Sequence, residues 1–287
     1  MIKKIIALSM IFVIVFGFNA HALSLDGQAY IETLSAMQKK IPALMYHKIT
    51  DNPSEISDYV VTGEMLRNDF EEIKRRGYSP ITVSEYYSLV KCTENLYSNN
   101  NYLKIAEFFR KNPNPIILTF DDGYKGIYTH VLPLMREYGF KANFYICGQL
   151  IDQNHPEYCT WEEIKLLSQS GLAEIGNHTY SLHSKTKEEL NTLYKINMRD
   201  AINDINKNRQ VMFTNSGVQS NVFSFPYGQY DPFILNMLKS SGYSYFISTD
   251  YRVNYLADKH EALGRFNRSA FETTKQFFDT VDLKCKQ

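Results

Sequence analysis

Six apolar stretches recur along the chain: 41–47 (IPALMYH), 115–120 (PIILTF), 141–147 (KANFYIC), 172–177 (LAEIGN), 221–226 (NVFSFP) and 243–249 (YSYFIST). Short runs of this kind, bounded by turn residues and rich in β-branched and aromatic side chains, predict buried strands. Helices are predicted between them, and their ends are marked. Four helical runs close on a glycine followed at once by an apolar residue, at Gly77, Gly139, Gly171 and Gly242. Glycine there takes the left-handed position after the last turn, and the chain moves straight into the next strand. Helix starts are equally legible. Thr160 with Glu163 and Thr186 with Glu189 match the capping box, and Asp231 places a cap before Pro232 at the first helical position. Alternating strands and helices with apolar strands predict parallel βα units. Repeated this often, and with no glycine-rich dinucleotide loop, the pattern favours an α/β barrel over an open sheet.

Two segments depart from the alternation. Lys3 and Lys4, the apolar run 5–18 and the small-x-small step Ala20-His21-Ala22 predict a signal peptide, residues 1–22, cleaved after Ala22. Residues 92–114, rich in asparagine and ending Asn-Pro, predict an insertion rather than a second domain, so that residues 23–287 form one domain. Export predicts a periplasmic, secreted or cell-surface protein, and no later stretch is long and apolar enough for stable membrane insertion. The chain holds 31 basic and 31 acidic residues, a balance that draws it neither to nucleic acid nor to an anionic membrane. Outside the cytoplasm, Cys92, Cys147, Cys159 and Cys285 permit two disulfides. Cys147 and Cys159 bracket a short polar segment and are the expected pair.

In a barrel the chemistry gathers where strands end and βα loops begin. The strand 115–120 ends in Asp121-Asp122, the strand 172–177 in a loop holding His178 and His183, and the strand 221–226 in PYGQYD. Adjacent carboxylates repel one another, and a bound cation relieves that repulsion. Two histidines and a carboxylate make an open site for zinc or a similar divalent ion. One aspartate would then be a ligand and its neighbour a general base, which requires the backbone to turn at Asp122, next to Gly123. Each piece also has an ordinary reading, as a turn, a helix cap or a loop histidine. His178 and His183 are five apart and match no single helix face, so they converge only from a loop.

TFDDGY, HTYSLH and FPYG, in this order, resemble the successive motifs of the polysaccharide deacetylase family, carbohydrate esterase family 4. The resemblance runs from ALMYHKI to LGRFNRS, most of the chain. The His-x-x-x-x-His spacing and MYHKI are most similar to the subgroup that de-N-acetylates poly-β-1,6-N-acetylglucosamine in biofilms. The resemblance implies a distorted (β/α)7 barrel acting as a monomer on a polysaccharide. It implies Asp121 as catalytic base, Asp122, His178 and His183 as ligands of one divalent metal, and the main-chain N–H of Tyr227 as oxyanion donor. Zinc is the expected metal, with iron, cobalt and nickel as alternatives. Two departures stand out. The third-motif arginine that orients the base in many members is absent from FSFPYG, and the late histidine that serves as general acid is missing. His47, at the end of the first strand, is the candidate acid, with His260 as a second choice.

Peptidoglycan, chitin oligomers and other acetylated glycans are alternative substrates for the same chemistry. A carbohydrate-binding protein without activity is a second class of reading. A glycoside hydrolase using Asp121 and Asp122 as its acid pair ranks last. That chemistry needs carboxyl groups about 5 Å or more apart across the bond, and it leaves both histidines idle.

Overall fold

The computed structural model describes residues 25–287; the expected leader, residues 1–22, lies outside them. Ten strands are present among these residues: β1 (Ala43–Tyr46), β2 (Lys48–Thr50), β3 (Val60–Thr62), β4 (Ser79–Ile81), β5 (Pro115–Phe120), β6 (Ala142–Ile146), β7 (Ala173–Asn177), β8 (Val222–Ser224), β9 (Tyr245–Ile247) and β10 (Phe266–Asn267). Eight of them form one parallel sheet in the order β10-β1-β5-β6-β7-β8-β9, with β4 paired to the start of β5. β2 and β3 form a separate parallel pair. The sheet curls on itself. Leu263 bridges Ile247 beyond β9, and three residues later Phe266 pairs with Leu44 of β1, so the segment 263–267 links the two edges. This is the expected α/β architecture, a single-domain curled barrel.

The six expected strands all form; five are trimmed by one to four residues, and β5 spans the full 115–120. β2, β3, β4 and β10 escape sequence reading because two or three residues are too few to show alternation. The helices begin and end where their signals lie. Thr160–Glu163 and Thr186–Glu189 close capping boxes, and Asp231 accepts from the backbone N–H groups of Phe233 and Ile234. The four glycines after helices all have positive φ, between 68° and 86°.

Side chains of the strands alternate between two apolar layers. Ile116, Leu118 and Phe120 of β5 pack outward with Phe70 and Phe278 from the surrounding helices. Ile117 faces the lumen with Ile41, Ala43 and Tyr145. Helix Asn101–Lys111, inside the expected insertion, adds Ile105 and Phe109 to that inner cluster. This helix thus packs against the apolar end of the lumen, leaving the opposite end, where the strands finish, for polar groups. Among the described residues, no helix is long and apolar enough to cross a membrane.

Candidate active site

Strand alternation carries Thr119 and then Asp121 onto the lumen face, and Asp121 is only 2% exposed. The next residue ought to point outward. Instead Asp122 has φ of 73° and Gly123 φ of 87°, so the chain turns through two left-handed residues and brings Asp122 to the same rim. Aspartate is among the few side chains that tolerate this region. The turn expected at Asp122 forms there and continues through Gly123.

Both histidines reach Asp122 from the loop after β7, as their spacing required. His178 Nε2 lies 3.5 Å from Asp122 Oδ1, and His183 Nε2 lies 3.6 Å from the same oxygen. The two rings are 4.8 Å apart. Their loop is anchored from beneath. Asp204 accepts from the backbone N–H groups of Tyr180 and Ser181, while Asn208 donates to Ile146 O and Asn177 Oδ1. Sequence reading missed both anchors, which sit on the polar side of an ordinary helical pattern.

The tautomer of His178 is determined by its neighbour. Its Nδ1 lies 2.8 Å from the carbonyl oxygen of Ser224, which can only accept, so Nδ1 carries the hydrogen. Nε2 is left with a lone pair. That nitrogen is buried, has no hydrogen-bond partner and faces Asp122. Burial, only partly offset by Asp121, lowers the His178 pKa to about 4, so the ring is neutral near pH 7. A buried, unpartnered lone pair beside a carboxylate fits a cation and costs free energy without one.

Asp121 has a different partner. Arg265, itself 1% exposed, donates from Nη1 to Oδ1 at 2.7 Å and from Nη2 to Oδ2 at 2.9 Å. The same guanidinium donates to Thr119 Oγ1 and to the carbonyl of Ser248. Burial alone would raise the Asp121 pKa; the charge of Arg265, followed by His178 and His47, overrides it and holds the carboxyl at about 2. FSFPYG holds no arginine, and the guanidinium that pairs with Asp121 comes instead from Arg265, 144 residues further along the chain. Nearby, Arg268 pairs with buried Asp69 and donates its backbone N–H to Met45 O, which holds this segment against β1.

Because the folded pKa of Asp121 lies below its ordinary value of 3.8, the pair stabilises the protein fully above about pH 4 and progressively less toward pH 2. Arg265→Met leaves a buried carboxylate unpaired and is expected to cost about 3–5 kcal/mol. It should also raise the Asp121 pKa, moving the acid limb of the activity profile to higher pH. Denaturant unfolding and a pH–rate profile check the two effects.

Asp121, Asp122, His178 and His183 line a cavity of about 610 Å³ that also includes His47, Tyr59 and Tyr227. The His47 ring packs edge-on against Tyr59 at 5.0 Å, and its buried Nδ1 has no hydrogen-bond partner. Burial lowers the His47 pKa, against an upward pull from Asp121 and Asp122. His260 is exposed beside Asp258 and does not line this cavity. Tyr227, with φ of 54°, packs its ring 4.7 Å from His183 and donates from its hydroxyl to the carbonyl oxygens of His183 and Lys185. It therefore braces the histidine loop as well as forming the rim.

The expected Cys147–Cys159 disulfide does not form: all four cysteines are free. The Cys147 thiol turns toward the His178 carbonyl at 3.2 Å, and the Cys159 thiol toward the Tyr124 carbonyl at 3.5 Å. Burial, with Asp122 beside it, pushes the Cys147 thiol well above its ordinary pKa. Cys147 is also a potential donor that sequence reading did not assign to the site. Its sulfur and ligand atoms of Asp122 and His178 lie within 4.8 Å of one another.

Comparison with known proteins bears on this geometry. Residues 110–246 match the family model described as polysaccharide deacetylase. The poly-beta-1,6-N-acetyl-D-glucosamine N-deacetylase of Staphylococcus aureus is 24% identical over 223 residues, covering 72% of this chain and 71% of that protein. The protein of the same name from Escherichia coli K12 is 23% identical over 248 residues, 72% of this chain but 34% of the relative, so the chain spans about a third of that protein's length. Among solved structures, IcaB from Ammonifex degensii superposes with a TM-score of 0.65 at 19% identity, covering 87% of this chain and 98% of that one, a likeness of fold. With the motif match, the shared fold and the named relatives in agreement, residues 110–246 are a polysaccharide deacetylase domain, of a family of hydrolases.

Proposed function

We propose that this protein removes N-acetyl groups from N-acetylglucosamine units of an extracellular or envelope polysaccharide, poly-β-1,6-GlcNAc, with one divalent ion held by Asp122, His178 and His183. The observation that carries the reading is the buried lone pair of His178 Nε2, aimed at Asp122 beside the separately paired Asp121. Zinc suits this donor set, with iron, cobalt or nickel able to replace it. The chemistry a bound ion supplies is Lewis acidity toward the amide carbonyl and toward water.

The residues divide the remaining work. Asp121, kept ionised and oriented by Arg265, takes the proton from the attacking water. The main-chain N–H of Tyr227 is the donor assigned to the developing oxyanion. His47, a neutral ring that lines the same cavity, takes up a proton and passes it to the departing nitrogen. The products are acetate and a free amine, so the polymer gains positive charge. Support for the β-1,6-linked polymer comes from the names of the two relatives and from the MYHKI and His-x-x-x-x-His motifs. This reading places the protein outside the cytoplasm, where such a polymer lies, in agreement with the leader pattern of residues 1–22.

Acetate release from poly-β-1,6-GlcNAc, chitin oligomers and peptidoglycan, compared at equal acetyl content, tests the substrate. The β-1,6-linked polymer is expected to be hydrolysed fastest. Faster release from peptidoglycan or chitin oligomers would reassign it.

A further inference from the structure

We infer that Cys147 is a further metal ligand of this site, its thiolate joining Asp122 and His178; the inference rests on the metal reading above. β6 lies between β5 and β7, the strands that lead into Asp122 and His178. Ile146 pairs with Asn177, which places Cys147 level with His178 on the neighbouring strand. The backbone N–H of Cys147 donates to Asp122 O at 3.3 Å, tying the two residues together. Its sulfur stands 3.9 Å from Asp122 Oδ1. Independently of the cysteine, His178 Nε2 is buried and unpartnered in the same cluster.

The side from which the sulfur approaches matters. Cys147 lines a smaller cavity of about 310 Å³ with Leu150, Tyr158 and Tyr180, whereas Asp121 and His47 line the larger one. Ligation by sulfur from its own side leaves the side facing the base to water and substrate. The step is a proton exchange with no redox change. The S–H bond breaks as the sulfur–metal bond forms, the proton leaves to solvent, and the hydrogen bond to the His178 carbonyl is given up. A thiolate makes the site softer than one carboxylate and two imidazoles, so it selects zinc or cobalt over magnesium, calcium or manganese.

Cobalt(II) titration of the metal-stripped protein tests this without an activity assay. The expected result is a sulfur-to-cobalt charge-transfer band in the near ultraviolet that saturates at one ion per chain. The band should persist in Cys159→Ser and vanish in Cys147→Ser, while the visible cobalt bands remain in both. Visible bands that saturate with no near-ultraviolet band in the parent protein would overturn the inference and leave the metal reading standing. Absence of any cobalt binding would overturn both. The parent spectrum is decisive by itself should Cys147→Ser fail to fold.

Discussion

Asp121→Asn is expected to lower the rate of acetate release by about two to four decades, the usual scale for removing a general base, while metal content stays at the parent level. The separation follows from the different partners of the two aspartates. Both oxygens of Asp121 receive hydrogen bonds from Arg265, whereas Asp122 Oδ1 stands within 3.6 Å of both histidines. Asparagine keeps the shape of the side chain and one acceptor for the guanidinium but not the counter-charge, so a thermal melt should accompany the kinetics to separate any stability loss from the rate effect. Alanine would also remove the remaining acceptor and leave a cavity beside the guanidinium, mixing a larger stability loss into the kinetics. Metal analysis of Asp121→Asn is the critical readout. Loss of the ion would mean that the roles of Asp121 and Asp122 are exchanged.

The double variant His178→Ala/His183→Ala should lose the ion and nearly all turnover. Two of the proposed ligands disappear together, and the remaining carboxylate and thiol give too few donors for a stable site. His178→Ala alone removes the buried lone pair held in place by Ser224, so it should weaken binding more than His183→Ala, whose ring is partly open to solvent. Elemental analysis after gel filtration measures both. Full occupancy of the double variant would show that the ion, if present, sits elsewhere.

The legible parts of the molecule were those written locally in the chain. PIILTF became β5 residue for residue, and the capping boxes at Thr160 and Thr186 formed as their spacing required. The convergence of Asp122, His178 and His183 was also legible, because each residue follows directly on a strand or its loop, and parallel strands bring those ends together. Partnerships over long separations were not. Arg265 lies 144 residues from Asp121, and no spacing rule links them. The available signal was a charge between Leu263 and Phe266 in an otherwise apolar stretch, since a buried charge needs a partner. Cys147 was misassigned for a related reason. The reading of an exported chain favoured a bond to Cys159, but side-chain direction at the end of β6 turned the thiol to the His178 carbonyl instead.

Metal dependence of acetate release is the most direct test of the central claim. Protein stripped by a chelator, with its metal content verified as negligible, should release acetate from poly-β-1,6-GlcNAc only at background. Activity should return in proportion to added zinc or cobalt and level off at about one ion per chain, as a single site of this donor set requires. Undiminished acetate release by the verified metal-free protein would contradict the account.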